Sequence, residues 1–200
     1  MATRKSRSRS RLIRGTNVLL RKTAHAFSVD AAVAFAAVPA WERLSCRVPR
    51  QEQTNWCWCA TTLGVQKYYV PADKTTQCHG ANQILSRADA CTSPSAPQVN
   101  LPFYLDKALS TFARLRSPTV SNPLPTQQVA QEIHGETPVG ARIGWAGGGG
   151  HFMAVVGFLP GPVPRVAISD PIYGESDIDY SLYLTAYQGS GRWTHSYLTQ

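Results

Sequence analysis

Cys57 stands where a polar run, Gln51-Glu52-Gln53-Thr54-Asn55, gives way to an apolar pattern carried by Trp58, Thr61, Thr62, Val65, Tyr68 and Tyr69. That recurrence predicts a helix from about residue 57 to 69. A thiol in the first turn of a helix lies among backbone N–H groups that lack intrahelical partners, at the positive end of the macrodipole. Both favour the thiolate, which is the nucleophilic form of cysteine. The stretch therefore suits a cysteine nucleophile with an amide side chain just upstream. Dense core packing would use the same residues, since free cysteine is among the most buried types. A base and an orienting acid further along must decide between the two.

His151 follows Gly147-Gly148-Gly149-Gly150 and opens a strongly apolar segment that predicts a strand. A histidine at the mouth of a strand, behind a glycine run, is placed to face a cleft. His25, His79, His134 and His195 lack such a setting, lying in the basic tail, in polar loops or near the C-terminus. Asp170 ends the next predicted strand, Val166-Ala167-Ile168-Ser169, and precedes Pro171. An aspartate before proline is also an ordinary turn residue. In an antiparallel pair the start of one strand lies beside the end of the next, so His151 and Asp170 are expected to be neighbours. A carboxylate so placed holds the imidazole tautomer and stabilises the imidazolium.

These stretches together resemble the papain-like cysteine peptidases. The resemblance rests on Gln-x5-Cys-Trp before a helix, Pro-Val-Gly-Ala-Arg-Ile-Gly-Trp (138–145), Gly-His-Phe-Met-Ala-Val-Val-Gly-Phe (150–158) and Val-Ala-Ile-Ser-Asp-Pro-Ile-Tyr-Gly (166–174). Within that superfamily the chain is most similar to the bacteriocin-processing peptidases and the avirulence effector proteases of plant pathogens, from about Val48 onward. The resemblance implies a two-lobed fold, with a helical lobe carrying the nucleophile and a β lobe carrying the base. It implies Cys57 as nucleophile, His151 as general base, Asp170 as orienting acid and Gln51 as oxyanion-hole donor, with Gln53 as a competing candidate. The small residue usual two places after the nucleophile is here Cys59, about 200° around the helix from Cys57 and so unable to face the same cleft.

The elements that must position these groups read as α+β. After the nucleophile helix, short helices are expected at 82–88, at 104–112 and at 126–133, the last with Thr126 as N-cap and its end at Gly135. Strands are expected at 139–145, 152–158, 166–169, 178–187 and 192–198. Residues 1–45 read as a basic tail followed by a linker or short amphipathic helix, and 46–200 as the peptidase domain.

Charge separates these two parts. Residues 1–29 carry eight of the chain's 20 basic residues and none of its 12 acids, so the rest carries 12 of each. The formal net charge of +8 therefore belongs to the tail. An Arg/Ser tail without acids reads as a solvated arm, as a targeting segment, or as a contact for an anionic partner. The apolar run 31–40 is too short to span a bilayer. Of the five cysteines, Cys78 and Cys91 flank a short segment and are a candidate disulfide that spacing alone does not establish. No Cys-x-x-Cys occurs, and no cofactor or metal is expected.

The expected activity is hydrolysis of peptide bonds in a protein or peptide substrate, by a secreted or delivered bacterial effector. Self-cleavage between Asp30 and Arg50 would remove the tail. The same triad also serves transglutaminase-like or deamidase acyl transfer. A different class altogether would be a catalytically silent, nucleic-acid-binding protein that uses its Arg/Ser tail.

Overall fold

The computed structural model describes residues 41–200. The basic tail, with the readings attached to it, lies outside the described residues. Among the described residues, five helices pack around one antiparallel sheet: α1 (Cys57–Tyr69), α2 (Gln77–Leu85), α3 (Leu105–Thr111), α4 (Thr126–His134) and α5 (Tyr180–Thr185). The strands are β1 (Glu42–Arg43), β2 (Val139–Trp145), β3 (Gly150–Leu159), β4 (Arg165–Asp170), β5 (Gly174–Asp179) and β6 (Gly191–Leu198). Their order is β5-β4-β3-β2-β6, and β1 pairs with the far end of β3 through Glu42↔Phe158 and Arg43↔Gly157. The chain thus joins the sheet at residue 42, within the stretch expected to be linker or helix. The architecture is α+β, helices first and sheet second.

The sheet is covered on both faces, which is why β3 reads as an unbroken apolar run rather than an alternating one. Phe152, Ala154 and Val156 join the core formed with α1, α2 and α3, which contains Trp56, Trp58, Leu63, Leu105 and Leu109. Met153, Val155, Val166 and Ile168 join a second core with α4 and α5, through Val129, Ile133 and Tyr183. A glycine inside α1 allows the closest approach: a Cβ on Gly64 would meet the Arg47 carbonyl and Val48 Cα, each at 2.8 Å. The segment leading to the nucleophile loop therefore lies directly on α1.

Three elements differ from expectation. α2 starts at Gln77, five residues before the predicted helix, because Thr76 caps it by accepting from the His79 N–H. In α4 the cap is Pro125, and Thr126 is already helical. The predicted strand over 178–187 ends at Asp179 and gives way to α5, whose Tyr183 is fully buried against the second core. Tyr and Thr favour strands, but Leu182 and Leu184 favour a helix, and burial of Tyr183, four residues before the equally buried Tyr187, accompanies it.

Candidate active site

Cys57 is the first residue of α1, and neither a side-chain cap nor a first-turn acid neutralises that end of the helix. Its first-turn N–H groups and the helix dipole are therefore free to act on an anion. The loop before it is held from three directions. Asn100 accepts from the Asn55 N–H at 2.9 Å and donates to Thr54 Oγ1 at 2.9 Å, while Asn55 Nδ2 donates to the Asn100 carbonyl. The indoles of Trp56 and Trp58 donate to the carbonyls of Val99 and Leu101, each at 3.0 Å. Gln77, buried on α2, accepts from the Glu52 N–H and donates to the Arg50 carbonyl. Across the cleft, the Gln51 N–H donates to the Pro171 carbonyl at 3.0 Å. That bond ties the nucleophile loop directly to the turn behind Asp170.

His151 is the second residue of β3 and is 3% exposed. Its Nε2 lies 2.9 Å from Asp170 Oδ1, and the imidazole lines the same cleft as Cys57. β3 and β4 pair from Ala154↔Ser169 onward, so His151 reaches Asp170 from just beyond the last paired residues. Asp170 itself is 2% exposed and fully bonded. Oδ1 also accepts from the backbone N–H groups of Ile172 (2.6 Å) and Tyr173 (2.9 Å), and Oδ2 accepts from the Tyr187 hydroxyl at 2.8 Å. Trp145 stacks beside the imidazole with ring centroids 6.2 Å apart, and Tyr173 meets it edge-on.

The electrostatics follow from this wiring. Burial pushes the His151 imidazole down, but the hydrogen bonds and charges of Asp170 and Cys57 outweigh it and hold it up at about 9. Burial also pushes Asp170 up, yet the His151 hydrogen bond and charge, with two backbone donors, leave it below the ordinary carboxylate range. Burial and the Asp170 charge push the Tyr187 phenol up, so it stays neutral and donates. A carboxylate thus holds an imidazolium that shares its cleft with the Cys57 sulfur.

Cys57, His151 and Asp170 come together; Gln51 is placed differently. Both N–H groups of Gln51 Nε2 are engaged, by the carbonyls of Gln53 and Thr54 at 2.8 Å each. The cleft of about 350 Å³ beside Cys57 and His151 is lined instead by Asn55, Trp58, Phe103 and Tyr173 among others, and neither Gln51 nor Gln53 lines it. The other free thiols are occupied elsewhere. Cys59 is fully buried, with Sγ 3.4 Å from the Gln77 carbonyl, and burial pushes its thiol far up. Burial, with the Glu175 charge, pushes Cys46 up to about 12.

Cys78 and Cys91 form a disulfide. Their sulfurs lie near a His79 ring nitrogen but are bonded to each other, so they are not thiolate ligands. Sequence reasoning missed Asn100, Gln77, Trp145 and Tyr187. Asn100 and Gln77 act from distant parts of the chain, 45 and 25 residues from their partners, whereas Trp145 and Tyr187 are closer but carry no pattern that marks them.

Among the described residues, no helix is long and apolar enough to cross a membrane. No curated protein matches the chain. Among solved structures, the Pseudomonas avirulence protein AvrPphB is similar with a TM-score of 0.36 at 11% identity, over 78% of this chain and 97% of that one. The family described as papain-like cysteine protease AvrRpt2 matches residues 41–188. That span runs from the strand paired with β3, through both sides of the cleft, to the end of the aromatic cluster behind Asp170. The chain belongs to the AvrRpt2 family of papain-like cysteine proteases.

Proposed function

We propose that the chain is a bacterial effector that hydrolyses peptide bonds of a protein substrate through Cys57, His151 and Asp170. The observation that carries the triad is the buried His151–Asp170 hydrogen bond beside the one cleft that both His151 and the helix-start Cys57 line. The Cys57 sulfur attacks the scissile carbonyl. His151, held protonated by Asp170, gives its proton to the leaving amine, and then draws one from the water that resolves the acyl-enzyme. The Cys57 backbone N–H faces the developing oxyanion. Gln51 enters as the residue that holds the 51–57 loop and, through it, that N–H; Gln53 remains the second candidate. The bond from the Gln51 N–H to the Pro171 carbonyl ties the two walls of the cleft together.

Self-cleavage belongs to the same proposal, with a narrower site than the sequence alone allowed. From Glu42 onward the chain is paired with β3 or packed, with Cys46 and Val48 buried. The cleaved bond therefore lies upstream of Trp41.

The test is labelling with a peptide-like, cysteine-directed electrophile near neutral pH, with the adduct mapped by mass spectrometry. The expected result is modification of Cys57 alone, lost in His151→Ala. Modification spread over Cys46 and Cys59, or unaffected by His151→Ala, would overturn the triad. Product masses then identify the reaction: cleavage splits the substrate, deamidation adds about one dalton, and cross-linking joins chains.

A further inference from the structure

Beside the cleft opens a second recess of about 290 Å³, sharing Phe103, Gly149, Gly150 and Phe152 with it and floored by Arg142. Arg142 projects from β2 and is half-buried. Its Nη1 donates to Thr194 Oγ1 at 3.1 Å and its Nη2 to the Gly149 carbonyl at 3.2 Å. The guanidinium lies flat on Gly150, the residue immediately before His151. A Cβ at Gly150 would sit 2.5 Å from Nη2 and 2.6 Å from Cζ. Glycine at this position is thus what lets a cation reach the rim of the cleft.

That cation has no acidic partner among the described residues. No acid lines the recess either; Lys107 Nζ lies 5.0 Å over the ring of its exposed Tyr104, and the acid felt on this face, Asp106, acts with Arg142 on the buried Tyr197 without pairing with the guanidinium. The Arg142 charge also lowers the neighbouring His195, after burial, so its field is felt along this face of the sheet. A guanidinium offers five N–H donors, of which two are engaged here. The remaining three are left to bind a carboxylate. The guanidinium thus stands against Gly150, the neighbour of the proposed base, without a carboxylate partner of its own.

We propose that Arg142 makes this recess a specificity subsite for an acidic substrate side chain within a residue or two of the scissile bond. The inference rests on the cleft being the peptidase site proposed above. Phe103 and Phe152 give the methylenes of a Glu or Asp side chain an apolar wall, and Arg142 takes its carboxylate.

The test is a positional library of internally quenched peptides, varied through acidic, amide, aliphatic and basic residues at each position flanking the scissile bond. The wild-type protein is expected to favour Glu or Asp at one position. Arg142→Gln should lower kcat/KM for that acidic peptide by about 10- to 100-fold while barely changing its amide counterpart. Arg142→Lys should keep part of the preference, and Arg142→Glu should move it toward Lys or Arg. A wild-type profile without acid preference overturns the proposal, with no variant needed. So does an Arg142→Gln loss equal on acidic and amide peptides, which would make Arg142 only a clamp on Gly149. Cys57 labelling on the same samples separates the two levels. Intact labelling with flat selectivity sinks the subsite alone, whereas absent labelling and turnover sink the peptidase reading and the subsite with it.

Discussion

The two walls of the cleft hold their reactive groups by different means. On the helical wall, Cys57 is placed by a loop whose polar groups are answered by side chains from far along the sequence, chiefly Asn100 and Gln77. On the sheet wall, His151 near the start of β3 and Asp170 at the end of β4 are neighbours across adjacent strands, only 19 residues apart. One wall is a long-range assembly around an uncapped helix end; the other is nearly local. The proposed nucleophile depends on backbone position, because it stands at a helix start whose N–H groups no side chain caps. The base depends on a closed network of charge and hydrogen bonds. Damage to the first should misplace a group, and damage to the second should change its protonation.

Asp170→Asn attacks the sheet wall at its centre. The neutral amide cannot hold the imidazolium, and the expected loss in kcat is about 10⁴-fold with the fold intact. Circular dichroism beside steady-state kinetics checks both parts. A loss below tenfold would mean that Tyr187 and the turn donors orient His151 without the charge.

The pH profile probes the same wall without a substitution. The His151 pKa is raised from its ordinary value of 6.5 to about 9 in the folded chain. The imidazolium, and with it peptide cleavage, should therefore persist through neutral pH and fall as pH rises through about 9. The sign for stability is the same: the contribution of the pair is full below the ordinary histidine range and is lost as pH climbs toward 9. Melting temperature and kcat/KM measured from pH 6 to 10 should decline together, and His151→Gln should flatten the thermal trend.

Asn100→Ala tests the helical wall. It removes the acceptor for the Asn55 N–H and the donor to Thr54, costing about 1–3 kcal/mol of stability. It should lower kcat by roughly tenfold through misplacement of Cys57, and leave the position of the alkaline limb unchanged. A shift of that limb would break the distinction between the two walls. Smallest of all is Cys59→Ala, two residues from the nucleophile but packed toward α2. It should cost about 1 kcal/mol of stability and leave kcat and electrophile labelling unaltered.

The same contrast explains what could be read from the sequence. Helix α1, strands β2, β3, β4 and β6, and the positions of Cys57, His151 and Asp170 carry local signals: an apolar period, a glycine run, an aspartate before proline. Even the direction of Cys59 follows from helical spacing alone. The side-chain direction of Gln51 does not, because the carbonyls of Gln53 and Thr54 compete for its amide within its own loop. Nor do the clamps Asn100 and Gln77, whose partners lie 45 and 25 or more residues away. Gln77 was hidden further by its helix, whose start is set by the Thr76 cap while Gly80 mimics a loop. A Cβ on Gly80 would approach Leu63 to 3.0 Å, so that glycine serves helix–helix contact. α5 was misread because its Tyr and Thr residues favour strands, although Leu182 and Leu184 favour a helix.

The short strand β1 sets the length of a leash. Glu42 is fixed opposite Phe158, at the other end of the strand that begins beside His151. Seven residues of strand cover about 23 Å, and an extended chain needs about seven residues to span that distance. A bond closer to Glu42 than about residue 35 cannot reach the Cys57 of its own molecule, and only another copy could cut it. Cleavage upstream of that limit can be first order and indifferent to dilution, whereas cleavage between it and Trp41 must slow as the protein is diluted. If the proposed self-cleavage occurs, mapping the new N-terminus by mass spectrometry therefore also gives its molecularity.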